Sequence, residues 1–460
     1  MKQDYDILIV GAGIIGASLA LALSQLPLRI ALIEQSSFKT LDAPLPAESK
    51  PIALNLASLR ILQTLNVWPA LEVYANPIKS VHISQQACFA QSRINAKELG
   101  VPQLGAVIPA ARLGHELIKA LLQVVANKSM QGTFDLYNPV TCESISQFEG
   151  TWQVVMRHLQ EEKKIIYPRL IIAADGTYST VRKLLNIGLK TRLTSEAALT
   201  TFIDISGDHQ HIAYQRFTKQ GIIASLPLPA NKIGLVWTAE QQIIETLQNL
   251  TESNFLENLQ GHFSYRFGRL LHCTKPQVYA LKSCISETQA QAGLILLGNA
   301  AHTLLPIAAQ GLNLGLQDMA ECVDLIAKAL KQHNDLADAS LAQSYLKSRL
   351  ATQRQIIGFT EHLTRLQTRF GPLTFIYNNG LLALDLLSPY KRNLSRRLMG
   401  IHGRLPRLIR GLNLYSQQWD FCQVSRPCSN HGTSNNHEDC ELGGNADKNS
   451  NAKSVQQEEY

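Results

Sequence analysis

Residues 11–16, Gly-Ala-Gly-Ile-Ile-Gly, follow a short β-branched run at 7–10 and lead into an alanine-rich apolar stretch expected to be helical over residues 14–26. A second strand, LRIALIE, then ends on Glu34, 23 positions after Gly11. A G-x-G-x-x-G turn between strand and helix, with an acid about 20 residues on, is built to hold a dinucleotide. Gly11 permits the tight turn, Gly13 lets the backbone approach a pyrophosphate, and Gly16 lets the helix pack close to the strand. The helix start offers unpaired N–H groups and a positive partial charge to phosphate. The Glu34 carboxylate can accept hydrogen bonds from ribose hydroxyls.

Two later stretches have the same strand–turn–helix texture. LIIAADGTYSTVRKLL runs off a strand into Asp175-Gly176, with a helix expected near Ser179. LILLGNAAHTLLPIAAQGLNLGLQD, residues 294–318, turns at Gly298-Asn299 and opens a helix at Gln310-Gly311-Leu312-Asn313. A free helix N-terminus there suits the electron-rich pyrimidine edge of a reduced flavin ring. His302 lies within this elbow and is a candidate for a role at the site, although a buried hydrogen-bonded histidine would read the same way. Tyr214 and Arg216 fall on a later strand-like stretch.

The elements that must position these turns are unevenly distributed. Helical spacing is expected over residues 52–65 and 112–125, and again from Gln310 to about residue 366. Residues 80–104 are strand-like. So are ALTTFIDI, IAYQRFT, GIIASLPLP and KIGLVWTA, all between 193 and 285. The economical reading is an α/β, Rossmann-like domain in three pieces, 1–79, 105–190 and 286–364. A β-rich substrate domain, 80–104 and 191–285, is inserted into it. Residues 365–423 form a C-terminal helical and basic section. There Lys391, Arg392, Arg396, Arg397, Arg404, Arg407 and Arg410 have no acidic neighbour in the sequence between Leu386 and Trp419. Residues 424–460 are polar and expected to be disordered.

Bulk composition excludes several classes. The 460 residues are 45% hydrophobic, enough for a large core, and the net charge of +7 is too mild to imply nucleic acid. The basic section matches no nucleic-acid-binding module. Of the eight cysteines, which include no C-x-x-C pair, the first five lie singly among apolar segments and read as buried free thiols in a reducing compartment. Cys422, Cys428, His431, His437 and Cys440 lack standard zinc-finger spacing, so no metal site is expected. The acidic opening MKQDYDILIV does not read as a signal peptide. No apolar run reaches the ~18–20 residues of a membrane span. A cytoplasmic protein with peripheral contact to the inner membrane is expected, because basic side chains near anionic lipid gain about 1 kcal/mol each.

The ordered set GAGIIG…Glu34, AADGTYSTVRKLL and GNAAHTLLPIAAQGLNLGLQD resembles the FAD-dependent aromatic hydroxylases of the para-hydroxybenzoate hydroxylase type. AYQRFTKQGIIASLPLP, IGLVW and GRLPRLIRGLNL narrow the resemblance to the ubiquinone-biosynthesis hydroxylases. It covers residues 4–415. By resemblance, Gly11, Gly13, Gly16 and Glu34 hold the ADP half of FAD, and Lys50 and Arg112 assist on the flavin side. Asp175 and Gly176 form the DG motif, linked to FAD and the nicotinamide cofactor. Gly298 and Asn299 occupy the turn that meets the ribityl chain. Pro306, Gln310, Gly311, Leu312 and Asn313 edge the isoalloxazine, with His302, Pro306 and Tyr214 as candidate catalytic residues.

Three positions depart from the family pattern. Asn299 stands where Asp is usual, Ala309 where Gly is usual, and Lys50 where Arg is frequent and would offer a two-pronged fork.

The implied chemistry is hydroxylation of a prenylated phenol. NAD(P)H, docking transiently because no second G-x-G-x-x-G follows a strand, would reduce FAD, and O₂ would then give a flavin C4a-hydroperoxide. Partners would include other ubiquinone-biosynthesis proteins. The rival readings are a sister hydroxylase of another ring position, a flavin-dependent reductase or halogenase, and a non-catalytic FAD-binding scaffold.

Overall fold

The computed structural model describes residues 3–38, 45, 49–86, 91–127, 132–158, 162–192, 195–305, 309–367 and 388–414, with side chains undescribed over 362–388. The polar tail and its cysteines and histidines lie outside these residues, as does Pro306.

The apolar strand runs assemble into a six-stranded sheet. Its order is Ala290–Gln291, Leu294–Leu296, Pro168–Ala173, Tyr5–Val10, Arg29–Ile33 and Thr133–Tyr137. All neighbours are parallel except the first pair. Ile7, Leu8, Ile9, Leu32, Ile171 and Ile172 are all but fully buried, as parallel strands covered on both faces require.

Register explains how remote turns meet. Val10 lies beside Ile33 and Ala173, and Ala173 lies beside Leu296. The chain therefore leaves the sheet at Gly11, Ala174 and Leu297 from adjacent carboxyl ends. Ligands of open α/β sheets bind at this edge.

The β-rich block forms a second sheet on the path Leu270–Cys273, Glu196–Ile205, Lys232–Glu240, Gly221–Leu228, Ile212–Thr218, Ser80–Gln85 and Gln91–Asn95, with Gln277–Ala280 also paired to Glu196–Ile205. The α/β architecture with a second, sheet-based region is as expected. Alternation gives this sheet two faces. Ile83, Ala213, Gln215, Phe217, Ala224 and Val236 line a cavity on one. On the other, Ile223, Leu235 and Trp237 pack against Ile244, Phe255, Leu259 and Phe263.

Several local expectations change. Residues 52–65 are not one helix. Pro51–Asn55 is a strand paired with Gly105–Pro109, and the helix is Leu56–Thr64. Asn55 divides them, because its side chain accepts the Ser58 N–H as an N-cap. The first helix stops at Leu23, ahead of Pro27. The late helical stretch is two helices, Gln310–Lys331 and Ala339–Gln367, broken where His333 adopts a φ of 54°. Two helices were missed inside the β-rich block, Gln241–Gln248 and the Thr251-capped Glu252–Phe263. The antiparallel pair Val140–Phe148 and Thr151–His158, extended by Lys164–Ile166, was also missed, except that KIIYPRLIIAADG reads as strand.

The basic C-terminal section is anchored, not free. Its helix Ser388–Leu398 is tied to the first region by the Asn55 amide donating to Leu398 O at 3.0 Å and the Ala57 N–H donating to Met399 O at 3.0 Å. In space some of its charges do meet acids. Lys391 Nζ is 3.3 Å from Glu98, and Asp324, which accepts the backbone N–H of Arg407 at 3.0 Å, also feels the Arg407 and Arg404 charges.

Candidate active site

The first turn is shaped by contacts no side chain could share. Gly11 has φ +96°, and a Cβ there would lie 2.8 Å from Ala174 O and Asp175 Cα. A Cβ on Gly16 would sit 1.8 Å from Gly11 O. Gly13 is the opposite case. It is exposed, lines the cavity, and has no atom within 4 Å of where its Cβ would be. The helix Ile14–Leu23 thus opens toward empty space with no side-chain cap. Glu34 accepts the Ala12 N–H at 2.7 Å and the Ser36 N–H at 2.7 Å, bracing the turn from the next strand. It does not line the cavity, but an ionised carboxylate retains lone pairs for a ribose edge.

The other turns are locked to the first. Ile15 Cγ1 lies 3.0 Å from a Cβ built on Gly298, and Gly315 approaches the same turn with its own Cβ position 3.1 Å from Gly298 Cα. The buried guanidinium of Arg182 donates to Thr177 O at 2.5 Å, Ala300 O at 2.7 Å and Asn299 O at 3.4 Å. It joins the Asp-Gly turn to the Gly-Asn turn. Arg182 was quoted within a motif but given no role, because nothing in its spacing says that its partners lie more than 100 residues on. Asp175 Oδ2 accepts the Val181 N–H at 3.1 Å, while Oδ1 is buried without a hydrogen-bond partner. Asp175 itself does not line the cavity, although its neighbours Ala174 and Gly176 do.

These turns face one cavity of about 1050 Å³, the upper end of the range for a small-molecule site. Gly13, Lys50, Gly176, Gly298, Asn299 and Gln310 to Asn313 line it from the first region, and the second sheet closes it with Ala213, Phe217, Ala224, Leu226 and Val236. Leu394, Leu398 and Met399 of the C-terminal section complete the wall, while Arg392, Arg396 and Arg397 face solvent. Asn313 pins the floor. Its carbonyl accepts the Asn55 N–H at 2.9 Å and the Ser58 hydroxyl at 2.7 Å, and its amide donates to Ala53 O at 2.9 Å and Ala309 O at 2.6 Å. Lys50 Nζ stands 5.3 Å from the Tyr279 ring centroid, and burial of the ammonium pulls its pKa below the usual lysine value.

The remaining predicted residues lie elsewhere. Arg112 does not line the cavity. Its guanidinium stacks 3.9 Å from the Tyr74 ring centroid and 3.7 Å from Glu116. The catalytic reading of His302 does not survive its surroundings. The ring is fully buried, 2.7 Å from Asp318 Oδ2, and Asp318 also binds Arg349 Nε at 2.5 Å and the Gln353 amide at 2.9 Å. Tyr214 borders the cavity through its strand, but its ring points to the helical face of the sheet. There it meets His82, Phe263 and Phe267 edge-on at 5.2–6.2 Å. Alternation along the strand causes this, since the odd-numbered neighbours Ala213, Gln215 and Phe217 face inward.

Ala309 adopts φ +51° and ψ +35° just before the helix that starts at Gln310. A Cβ in the left-handed region costs about 1–2 kcal/mol. Ala309→Gly is therefore expected to stabilise the protein by about 0.5–1 kcal/mol, after the greater unfolded-state entropy of glycine is counted. Chemical denaturation would show a higher midpoint at unchanged slope.

Comparison with known proteins agrees with this geometry. A family model described as "FAD binding domain" matches residues 4–360. An uncharacterised Synechocystis protein, slr1300, is 29% identical over 424 residues, covering 90% of this chain and 98% of that one. The 3-demethoxyubiquinol 3-hydroxylase of Escherichia coli is 28% identical over 412 residues, covering 87% and 100%. The ubiquinone hydroxylase UbiL of Rhodospirillum rubrum is 25% identical, covering 89% and 93%. Among solved structures, p-nitrophenol 4-monooxygenase PnpA of Pseudomonas putida superposes with a TM-score of 0.68 at 14% identity, covering 88% of this chain and all of that one.

Proposed function

Since the chain belongs to the FAD binding domain family, we propose that it hydroxylates the aromatic ring of a polyprenyl phenol in ubiquinone biosynthesis, with 2-octaprenyl-6-methoxyphenol as the substrate type. It is an FAD-dependent monooxygenase that takes electrons from NAD(P)H. The observation that carries the finer reading is a single cavity with glycine turns and a helix N-terminus at one wall and an apolar sheet at the other. We assign residues 1–79, 105–190 and 286–364 to holding FAD, and 80–104 with 191–285 to holding substrate.

The residues fit the cofactor. Gly13 and the uncapped helix start accept the pyrophosphate, Glu34 accepts hydroxyls, and Gly298, Asn299 and the helix starting at Gln310 flank the ring system. FAD, once reduced, supplies the activation of O₂. The chain supplies position and dryness. Val81, Ile83, Phe217 and Leu226 offer an apolar wall to the phenol and keep water from the reacting centre. Among the described lining residues there is no carboxylate and no histidine, and the ionisable side chains that line the cavity are Lys50, Lys282 and tyrosines.

A nearly insoluble prenylated substrate has to be collected from a bilayer. No helix among the described residues is long and apolar enough to cross one. The helix Ser388–Leu398 turns Leu394 and Leu398 to the cavity and Arg392, Arg396 and Arg397 to solvent, an arrangement suited to peripheral contact with anionic lipid and with sister biosynthetic proteins.

Purified protein supplied with NADPH, ¹⁸O₂ and a prenylphenol should release product carrying one labelled oxygen. NADPH oxidation without labelled product would point to a reductase, and bound FAD with no NADPH oxidation to a scaffold.

A further inference from the structure

The face of the second sheet turned to the cavity is apolar with one exception. Among the described residues that Ser80–Gln85, Ile212–Thr218, Gly221–Leu228 and Lys232–Glu240 contribute to the lining, Gln215 is the one whose side chain can hydrogen-bond there. Register sets it in the middle of the wall. It lies opposite Ile83 on one neighbouring strand and opposite Ala224 on the other, and Ala224 lies opposite Val236. Its chain neighbours Tyr214 and Arg216 turn to the far face, where they meet Phe267 and Ser84.

The Gln215 amide is also unspent. The residue is partly exposed, and among the described residues no protein group hydrogen-bonds its side chain. Asn55 and Asn313 line the cavity too, but their amides are engaged. Asn55 is held by the Ser58 N–H and Leu398 O, and Asn313 by the Asn55 N–H, Ala53 O and Ala309 O. Because Gln215 faces the cavity, its free amide is offered to whatever fills that space. A carboxamide carries an acceptor and two donors side by side. Two adjacent oxygens on an aromatic ring, one a hydroxyl and one an ether, match it. The hydroxyl donates to the carbonyl, and the ether oxygen accepts an N–H. A few placed polar groups in an apolar pocket are what fix a ligand's orientation.

We propose that Gln215 is a specificity-determining residue of the cavity, selecting phenols that carry a second oxygen ortho to the hydroxyl by holding both oxygens. The held edge of the ring then faces the sheet, and the opposite edge is left free to react. This rests on the reading of the cavity as the place where a phenol is bound.

The test uses the full-length, FAD-loaded protein and three prenylated rings: a 2-methoxyphenol, the phenol without the methoxy group, and the benzene without either oxygen. Binding is read from the change in flavin absorbance, which needs no turnover, and hydroxylation from incorporation of ¹⁸O₂. Wild type should lose about five- to tenfold in affinity with each oxygen removed. Gln215→Met, similar in volume but without the amide, should flatten the series by weakening the methoxyphenol while binding the benzene as wild type does. Gln215→Glu keeps an acceptor and no donor. It should still prefer the phenol to the benzene but lose the preference for the methoxy group, and it serves as the second variant if Gln215→Met folds poorly.

A series that is flat in wild type, unchanged by both substitutions, or weakened equally for all three rings overturns the proposal. So does loss of FAD affinity with the ring preferences intact. Labelled product from wild type in those cases leaves the hydroxylase reading standing. Preferences that depend on Gln215, with no labelled product from any ring, uphold the proposal and contradict hydroxylation.

Discussion

Asp318→Asn is expected to cost about 3–5 kcal/mol of stability and to lower the melting temperature by more than roughly 5 °C in a thermal scan. Asp318 is completely buried at the centre of a bonded group of Arg349, His302 and Gln353. Burial alone would push its carboxyl up, but the Arg349 charge and the His302 hydrogen bond outweigh burial and hold it below the usual value. Asparagine keeps the shape and removes the charge. Arg349, 7% exposed and itself held above its ordinary pKa by this carboxylate, then loses the anion to which it is bonded. Removing one member of a buried pair costs far more than the pair contributes.

The sign of the pH dependence follows. A carboxyl whose folded pKa is depressed contributes stability that is complete above its unfolded pKa of about 4 and is lost as pH falls through the lower folded value. The gap between wild type and Asp318→Asn should therefore be constant from neutrality to about pH 5 and narrow only in stronger acid. A gap that closes while the pH is still well above 5 would mean that the Asp318 charge does not govern the network.

Gly13→Asp is expected to leave the fold intact and to weaken FAD binding at least about 100-fold, or ~2.7 kcal/mol. Gly13 has φ −63° and ψ −176°, which any residue adopts, and its Cβ direction is open. The substitution therefore causes neither strain nor collision. It does place a carboxylate at the helix start where a pyrophosphate should rest, which sets like charges against each other and spends the helix N–H groups on the side chain. Circular dichroism should be unchanged while the FAD titration shifts. Gly16→Val makes a useful contrast. Its Cβ would fall on Gly11 O, so it should lose fold and flavin together.

Much of this site was legible because its parts are local. Gly11, Gly13, Gly16 and Glu34 lie in one strand–turn–helix–strand unit, and short-range geometry alone brings them together. The strands ALTTFIDI, IAYQRFT and KIGLVWTA likewise emerge at Glu196–Ile205, Ile212–Thr218 and Lys232–Glu240. What was not legible depends on register and on partners distant in the chain. Arg182 is read as a clamp only once the carbonyls of Asn299 and Ala300 are beside it. Tyr214 turns away from the cavity through a single step of strand alternation. His302 looked chemical in its turn, but its partner Asp318 arrives from the helix behind it. The helices Gln241–Gln248 and Glu252–Phe263 were hidden within a β-rich block because their apolar faces are short.

The central claim is that turns at residues 11–16, 175–176 and 298–313 serve one FAD. Titration of apoprotein with FAD, followed by flavin absorbance, tests it most directly when wild type, Gly13→Asp and Gly311→Asp are run together. One equivalent should bind to wild type, and each substitution, nearly 300 positions apart, should weaken that same equivalent. Two independent equivalents, or a variant at either turn that binds FAD as wild type does, would contradict the account.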